Sequence, residues 1–266
     1  MGEPGKVDEF LELAVDAVTS AGNLLREGID RIAWIEHKGE INLVTEMDVK
    51  SENLIKEKIQ KRYPGHQILA EESEIPQSGG RFRWIIDPLD GTTNYAHGFP
   101  IFCVSVALEI EGTVEVGAVY DPMRNELFTG KREGGAMMNG KKIAVSETSE
   151  LTESLLATGF PYDLRTSEAN NTDNWNAMLV RAQAIRRAGS AALDLCYTAM
   201  GRFDGFWELK LFPWDVAAGT LFVREAGGQV TLLAGEPFTI YSKEVVATNG
   251  RIHKAMIEIL RRGKRP

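Results

Sequence analysis

Two carboxylates three residues apart, Asp87 and Asp90, sit in the run Trp84-Ile85-Ile86-Asp87-Pro88-Leu89-Asp90-Gly91-Thr92-Thr93-Asn94-Tyr95. Oxygen ligands of this kind suit a hard cation such as Mg²⁺, and free N–H groups at a helix start suit an anion. The plain structural alternative is a turn that caps a short helix. Further acidic residues recur where a strand or loop meets the next element: Glu71-Glu72 after Gln67-Ile68-Leu69-Ala70, and Asp215 beside Pro213-Trp214. On local grounds the first pair reads as an acidic loop, and Asp215 as compensation of a helix dipole. Asp48, three residues after Thr45, reads as the acidic partner of a capping box, a place from which a carboxylate can still face a site. If these groups converge, repulsion decides the matter. Two carboxylates 4 Å apart cost about 4 kcal/mol at an effective dielectric near 20. Four or five of them stay ionised together only with cations, and an oxygen-only set points to Mg²⁺ or Mn²⁺ over zinc.

The elements that must position them follow from periodicity. Apolar residues at Phe10, Leu11, Ala14, Val18, Ala21, Leu25 and Ile29 predict one long amphipathic helix, and Ile55, Ile59 and Tyr63 a second that stops at Pro64-Gly65. Trp84 to Ile86 predicts a buried strand that Pro88 ends, with Asp90-Gly91 turning into a helix at Thr92. Strand-like runs at Phe102 to Ile110, Thr113 to Tyr120, Glu126 to Thr129 and Ala136 to Met138, with hairpin signals at Glu111-Gly112 and Asn139-Gly140, predict an antiparallel sheet under the two helices. Beyond Ser154 strands and helices alternate, which predicts an α/β half. Residues 1–266 are expected to form one compact unit, with helices and an antiparallel sheet over 1–148 and the α/β half over 149–266.

With 266 residues, 43% of them hydrophobic, the chain can bury a large core. A net charge of −8 argues against a nucleic-acid footprint over the whole surface. The basic ending, Arg261-Arg262-Gly263-Lys264-Arg265, reads as a solvated tail. Cys103 and Cys196 lie in apolar runs and read as buried thiols, so a reduced cytoplasmic setting is expected. No apolar stretch is long enough to span a bilayer, and Met1-Gly2-Glu3-Pro4 lacks the pattern of a signal peptide. His37, His66, His97 and His253 show no metal-ligand spacing, and surface or loop roles are expected for all four.

Three motifs in order carry a resemblance over nearly the whole chain: Ala70-Glu71-Glu72-Ser73, the Asp87–Tyr95 run, and Trp214-Asp215-Val216-Ala217-Ala218-Gly219 with Glu225-Ala226-Gly227-Gly228 downstream. The sequence resembles the Mg²⁺-dependent, lithium-sensitive phosphomonoesterases typified by inositol monophosphatase. Gly159 to Arg165 and Ala188 to Leu195 are similar to bacterial members. The resemblance implies a sugar-phosphatase fold, a layered α+β or α/β sandwich in the order α-β-α-β-α, and a homodimer. It implies two or three Mg²⁺ ions, with Mn²⁺ as substitute: Glu71, Asp87 and the Leu89 carbonyl would hold the first, which activates water. Asp87, Asp90 and Asp215 would hold the second, near the leaving oxygen, and Glu71 would help hold a third. Gly91 and Thr92 would receive phosphate through backbone N–H groups, with the Thr92 hydroxyl and Asp48 orienting the attacking water. Ala191 and Glu208 would meet the hydroxyls of the substrate, with Gly189 and Ser190 forming the neighbouring loop of the substrate site. Glu72 and Lys38 would support the site, Lys38 standing one residue closer to Asp48 than in animal members. The implied reaction is hydrolysis of a small polyol phosphate such as myo-inositol monophosphate. Fructose-1,6-bisphosphatase activity is the nearest rival, and a basic side chain for a second phosphate, from Arg165, Arg186 or Arg187, would separate the two. A non-catalytic interaction role on the same scaffold is the alternative of another class.

Overall fold

The computed structural model describes residues 4–29, 34–37, 43–73 and 80–263. The first half runs α1 (Pro4–Gly28), β1 (Ile35–His37), β2 (Leu43–Thr45), α2 (Glu46–Arg62), β3 (Gln67–Ala70), β4 (Phe82–Asp90), α3 (Thr92–Ala96), β5 (Cys103–Ile110), β6 (Thr113–Asp121), β7 (Glu126–Lys131), β8 (Gly135–Met138) and β9 (Lys141–Lys142). The second runs β10 (Leu155–Thr158), α4 (Thr172–Leu179), β11 (Ala184–Arg186), α5 (Ala191–Ala199), β12 (Gly205–Leu209), α6 (Pro213–Glu225), β13 (Gln229–Thr231), β14 (Glu244–Thr248) and α7 (His253–Gly263).

Alternating side chains on the strands show which layers meet. Ile86, Val104, Val106 and Ala118 pack under Phe10, Ala14, Val18, Ile55 and Ile59 of α1 and α2. Their strand neighbours Ile85, Ala107 and Val119 face the other way, onto Leu195, Ala218 and Phe222 of α5 and α6. Phe206, Val245 and Ala247 close that layer from a second sheet, whose opposite face (Leu156, Trp207 and Val246) meets Met178 of α4 and Met256 and Leu260 of α7. The order is therefore α-β-α-β-α, as the resemblance implied. The first large sheet is β3-β4-β5-β6-β7-β8-β9, antiparallel except for β3 beside β4; the second is β11-β10-β12-β14-β13, with its first three strands parallel.

Three local details differ from the reading of the sequence. Pro88 does not end its strand. β4 runs on to Asp90 through a bulge, because Asp87 pairs with Ser105 and Asp90 with Cys103, one extra residue on the β4 side. A bulge is where a ladder tolerates a residue without an N–H, and the Pro88 carbonyl is held by the Ser51 hydroxyl at 2.6 Å. A short hairpin of β1 and β2, also unforeseen, leads into α2. His253 is buried at the start of α7, its ring between the hydroxyls of Thr231 and Thr248 at 3.0 Å each. The hairpins at Glu111-Gly112 and Asn139-Gly140 are present, with all four residues at positive φ as such tight turns require.

Candidate active site

The bulge in β4 decides the geometry of the site. In a regular strand, residues three apart point to opposite faces. The extra residue between Asp87 and Asp90 resets that alternation, and both now border one cavity of about 560 Å³. The parallel register of β3 and β4 matches Ala70 with Ile86, so the next residue, Glu71, comes level with Asp87 and lines the same cavity. Gly91 follows at φ 100°, and a Cβ there would stand 2.9 Å from the Ile101 carbonyl oxygen, so the tight entry into α3 requires glycine. Gly189, Ser190 and Ala191 reach the cavity from the start of α5, Glu208 from the end of β12, and Asp215 from the first turn of α6. Asn94 clamps two of these segments together, donating from Nδ2 to the carbonyls of Ile101 (2.7 Å) and Ala188 (2.8 Å).

Each central carboxylate is fixed by one oxygen. Asp87 Oδ1 accepts from the Leu89 N–H at 3.0 Å, and Asp215 Oδ2 accepts from the Phe212 N–H at 2.6 Å. Asp90 Oδ2 accepts from the Ser190 hydroxyl at 2.6 Å and the Ala192 N–H at 2.7 Å. The second oxygens, Asp87 Oδ2, Asp90 Oδ1 and Asp215 Oδ1, have no such donor among the described residues. Burial, then the neighbouring charges of Glu71, Asp90 and Asp215, push the Asp87 carboxyl well above its usual range. Burial and then Asp90 do the same to Asp215. Among the described residues no three Asp, Glu, His or Cys side chains are already drawn together as a ready ligand group. The donor set is nevertheless all oxygen, with one oxygen of each aspartate held by the fold, which fits a hard divalent cation.

Asp48 and Glu72 do not border the cavity. Asp48 is fully buried and caps α2, its Oδ2 accepting from the N–H (2.8 Å) and hydroxyl (2.6 Å) of Thr45. Its other oxygen accepts from the Thr92 hydroxyl at 2.9 Å, so capping carboxylate and site are joined through one side chain. Thr92 Oγ1 also lies 3.1 Å from the Leu89 carbonyl. The Glu72 N–H donates to Glu52, which places Glu72 beside α2. Lys38 falls outside the described residues. The Ser190 hydroxyl is occupied as the cap of α5, donating to Asp90 and accepting from the Leu193 N–H. Of the three arginines considered for a second phosphate, Arg187 borders the cavity.

Sequence reasoning passed over Tyr162 and Asp194, which also line the cavity. Desolvation of the Tyr162 hydroxyl, and then the charges of Glu71, Asp90, Asp215 and Asp87, push its pKa upward, although the residue as a whole is exposed. It gave no signal beyond its place in a loop. Asp194 did give one: it is a lone charge within the otherwise apolar run Ala191 to Met200.

A layered fold with acidic side chains from four strand or helix ends around one cavity is the architecture of a hydrolase for phosphoric esters. The model of the inositol monophosphatase family matches residues 6–265. The chain is 44% identical over 269 residues to inositol monophosphatase 3 of Solanum lycopersicum, covering 98% of this chain and 99% of that one. It is 43% identical to the Nus factor SuhB of Escherichia coli K12, covering 95% and 96%. The solved inositol monophosphatase of Anabaena (Nostoc) sp. PCC 7120 superposes with a TM-score of 0.89 at 43% identity, over 97% of each chain. The protein belongs to the inositol monophosphatase family of phosphoric monoester hydrolases, a family that is in general metal-dependent.

Proposed function

We propose that this protein hydrolyses myo-inositol monophosphate, or a closely similar polyol phosphate, with Mg²⁺. The observation that carries this reading is the open oxygens on Asp87, Asp90 and Asp215, set around one cavity that Glu71 also lines. Glu71, Asp87 and the Leu89 carbonyl would hold one ion and Asp87, Asp90 and Asp215 a second, with Glu71 shared by a third and Mn²⁺ as substitute. When bound, such ions polarise phosphoryl oxygens and acidify water.

The residues of the chain supply the rest. Gly91 and Thr92 offer backbone N–H groups to the phosphoryl oxygens at the turn out of β4. The Thr92 hydroxyl gives its proton to Asp48 Oδ1, so its lone pairs face outward to accept from the attacking water. Asp48 is held on its other oxygen by Thr45, which keeps that hydrogen bond in one direction. Asp90 stands between the reacting end and the leaving alcohol, anchored by Ser190 and Ala192. Gly189, Ala191 and Glu208 form the wall against which the alcohol lies. Glu72, beside α2, is assigned a supporting position, and Lys38 a supporting role.

Phosphate release from inositol 1-phosphate and fructose 1,6-bisphosphate, with Mg²⁺ and with a chelator, tests the reading. Mg²⁺-dependent turnover of the first ester supports it, and no turnover of either ester overturns it. Arg187 at the cavity favours including the bisphosphate, since a cation there suits a second phosphate. The 43% identity to a relative named a Nus factor supports a second reading of another class, a non-catalytic interaction role on the same scaffold. We assign the protein to the cytoplasm as a homodimer. Two buried free thiols support the first assignment, and the resemblance described above implies the second.

A further inference from the structure

Asp194 borders the cavity and has no part in the reaction described above. It lies in the first turn of α5, a helix whose nine residues are all buried, and it is itself only 1% exposed. Neither of its carboxyl oxygens meets a donor among the described residues, and Oδ1 is sealed from solvent. A buried polar group left in this way is costly, and native structures seldom keep one without use. Helix capping does not explain it. The donors at the start of α5 already go to Asp90 and Ser190, and the Thr198 hydroxyl turns back to the backbone carbonyl of Asp194, not to its side chain.

What surrounds the carboxyl is the alcohol end of the cavity. Glu208 and Asp90 lie near enough to raise its pKa further, beyond what burial does, and Arg187 opposes them. An unpartnered carboxyl offers acceptor lone pairs and, when protonated, one O–H donor, which matches a hydroxyl group that also both donates and accepts. The Glu208 carboxylate lies over Gly159, where an added Cβ would stand 2.1 Å from Oε1, so the cavity wall is shaped to hold that carboxylate close.

We infer that Asp194 is a specificity-determining residue that, together with Glu208, reads the hydroxyl groups on the alcohol half of the ester. Its ligand class is a phosphate ester of a polyol with free hydroxyls. An aryl or simple alkyl phosphate leaves Asp194 unpaired and gains nothing from it. The inference rests on the phosphomonoesterase reading, and its test is built to fail separately from that reading.

The experiment compares steady-state kinetics of wild type and Asp194→Leu on inositol 1-phosphate and on phenyl phosphate, with Mg²⁺ present. The expected result is a rise in KM of about tenfold on inositol 1-phosphate, the loss of one hydrogen bond, with kcat and the phenyl phosphate reaction unchanged. Equal losses on both esters, or no loss on either, overturn the inference while leaving the phosphatase reading in place. Failure of the wild type to release phosphate from any ester overturns both. Should Asp194→Leu not fold, Asp194→Ala and a set of mono-deoxy inositol phosphates carry the test. Wild type is then expected to lose about tenfold in kcat/KM on one analogue and Asp194→Ala to lose nothing further on that analogue, whereas strictly additive losses overturn the inference.

Discussion

Two sets of aspartates make an instructive pair. Asp121 and Asp204 tie loops to the sheets and have both oxygens engaged. Asp121 accepts from the N–H groups of Met123 and Arg124 at 2.9 Å each on Oδ1, and from the Arg124 guanidinium at 3.1 Å on Oδ2. Asp204 accepts from the Ser146 hydroxyl at 2.5 Å on one oxygen and the Leu155 N–H at 2.7 Å on the other. At the cavity, Asp87 and Asp215 have one oxygen engaged each, and the charges that act on them are those of further carboxylates. Burial is shared by Asp87 and Asp121, at 1% and 0% exposed, and so does not distinguish structure from function. A half-engaged carboxylate does: it is oriented by the fold and still has a lone pair to offer.

The comparison is broken most severely at Asp90. Asp90→Asn keeps the shape of the side chain and removes the charge, so turnover of inositol 1-phosphate is expected to fall by about a thousandfold or more while the melting temperature holds. Near-normal turnover in that variant would refute the metal assignment. Asp121→Ala is expected to do the opposite. It strands two backbone N–H groups and a guanidinium, costing about 2–4 kcal/mol of stability in denaturant titrations, with kcat per folded molecule unchanged. A loss of kcat without a loss of stability there would erase the distinction between the two sets.

Smaller effects sharpen the picture at the alcohol end. Gly159→Ala puts a methyl group against the Glu208 carboxylate and is expected to raise KM for inositol 1-phosphate several-fold, leaving phenyl phosphate kinetics alone. The smallest effect is on the pH dependence of folding. Burial, and next the charge of Asp90, raise the Glu208 pKa from 4.5 to about 8. The folded chain thus holds a proton that the unfolded chain releases, and the stability this contributes is full below about pH 4.5 and lost as pH rises through about 8. Glu208→Gln should flatten the fall in melting temperature between those values, and an unchanged slope would show that Glu208 is not shifted.

Much of this was legible in the residues, for physical reasons that can be named. The face of α1 was readable because one stripe of a 3.6-residue period is buried, and the turns at Glu111-Gly112 and Asn139-Gly140 because few residues tolerate positive φ. Asp48 was readable as a capping partner from the four-residue window Thr45 to Asp48, but its bond to Thr92 joins residues 44 apart and has no local trace. The acidic residues of the site could be selected by type and position. That Asp87 and Asp90 share a side could not, since their spacing implies opposite faces until the bulge, a property of the pairing with β5, is known. Pro88 was misread for the same reason: its missing N–H ends a regular ladder and fits an irregular one. Asp194, a charge among apolar neighbours, was passed over, and only the packed cavity tells a helix dipole partner from an unpaired carboxyl.

The central claim is that oriented, half-engaged carboxylates at one cavity hold divalent ions. Calorimetric titration of Mg²⁺, and of Mn²⁺ in parallel, into chelator-treated wild type, Asp87→Asn and Asp215→Asn measures this without reference to any substrate. Saturable binding of at least two ions by the wild type, weakened in both variants, is the predicted result. A wild type that takes up no ion, or variants that bind as the wild type does, would contradict it.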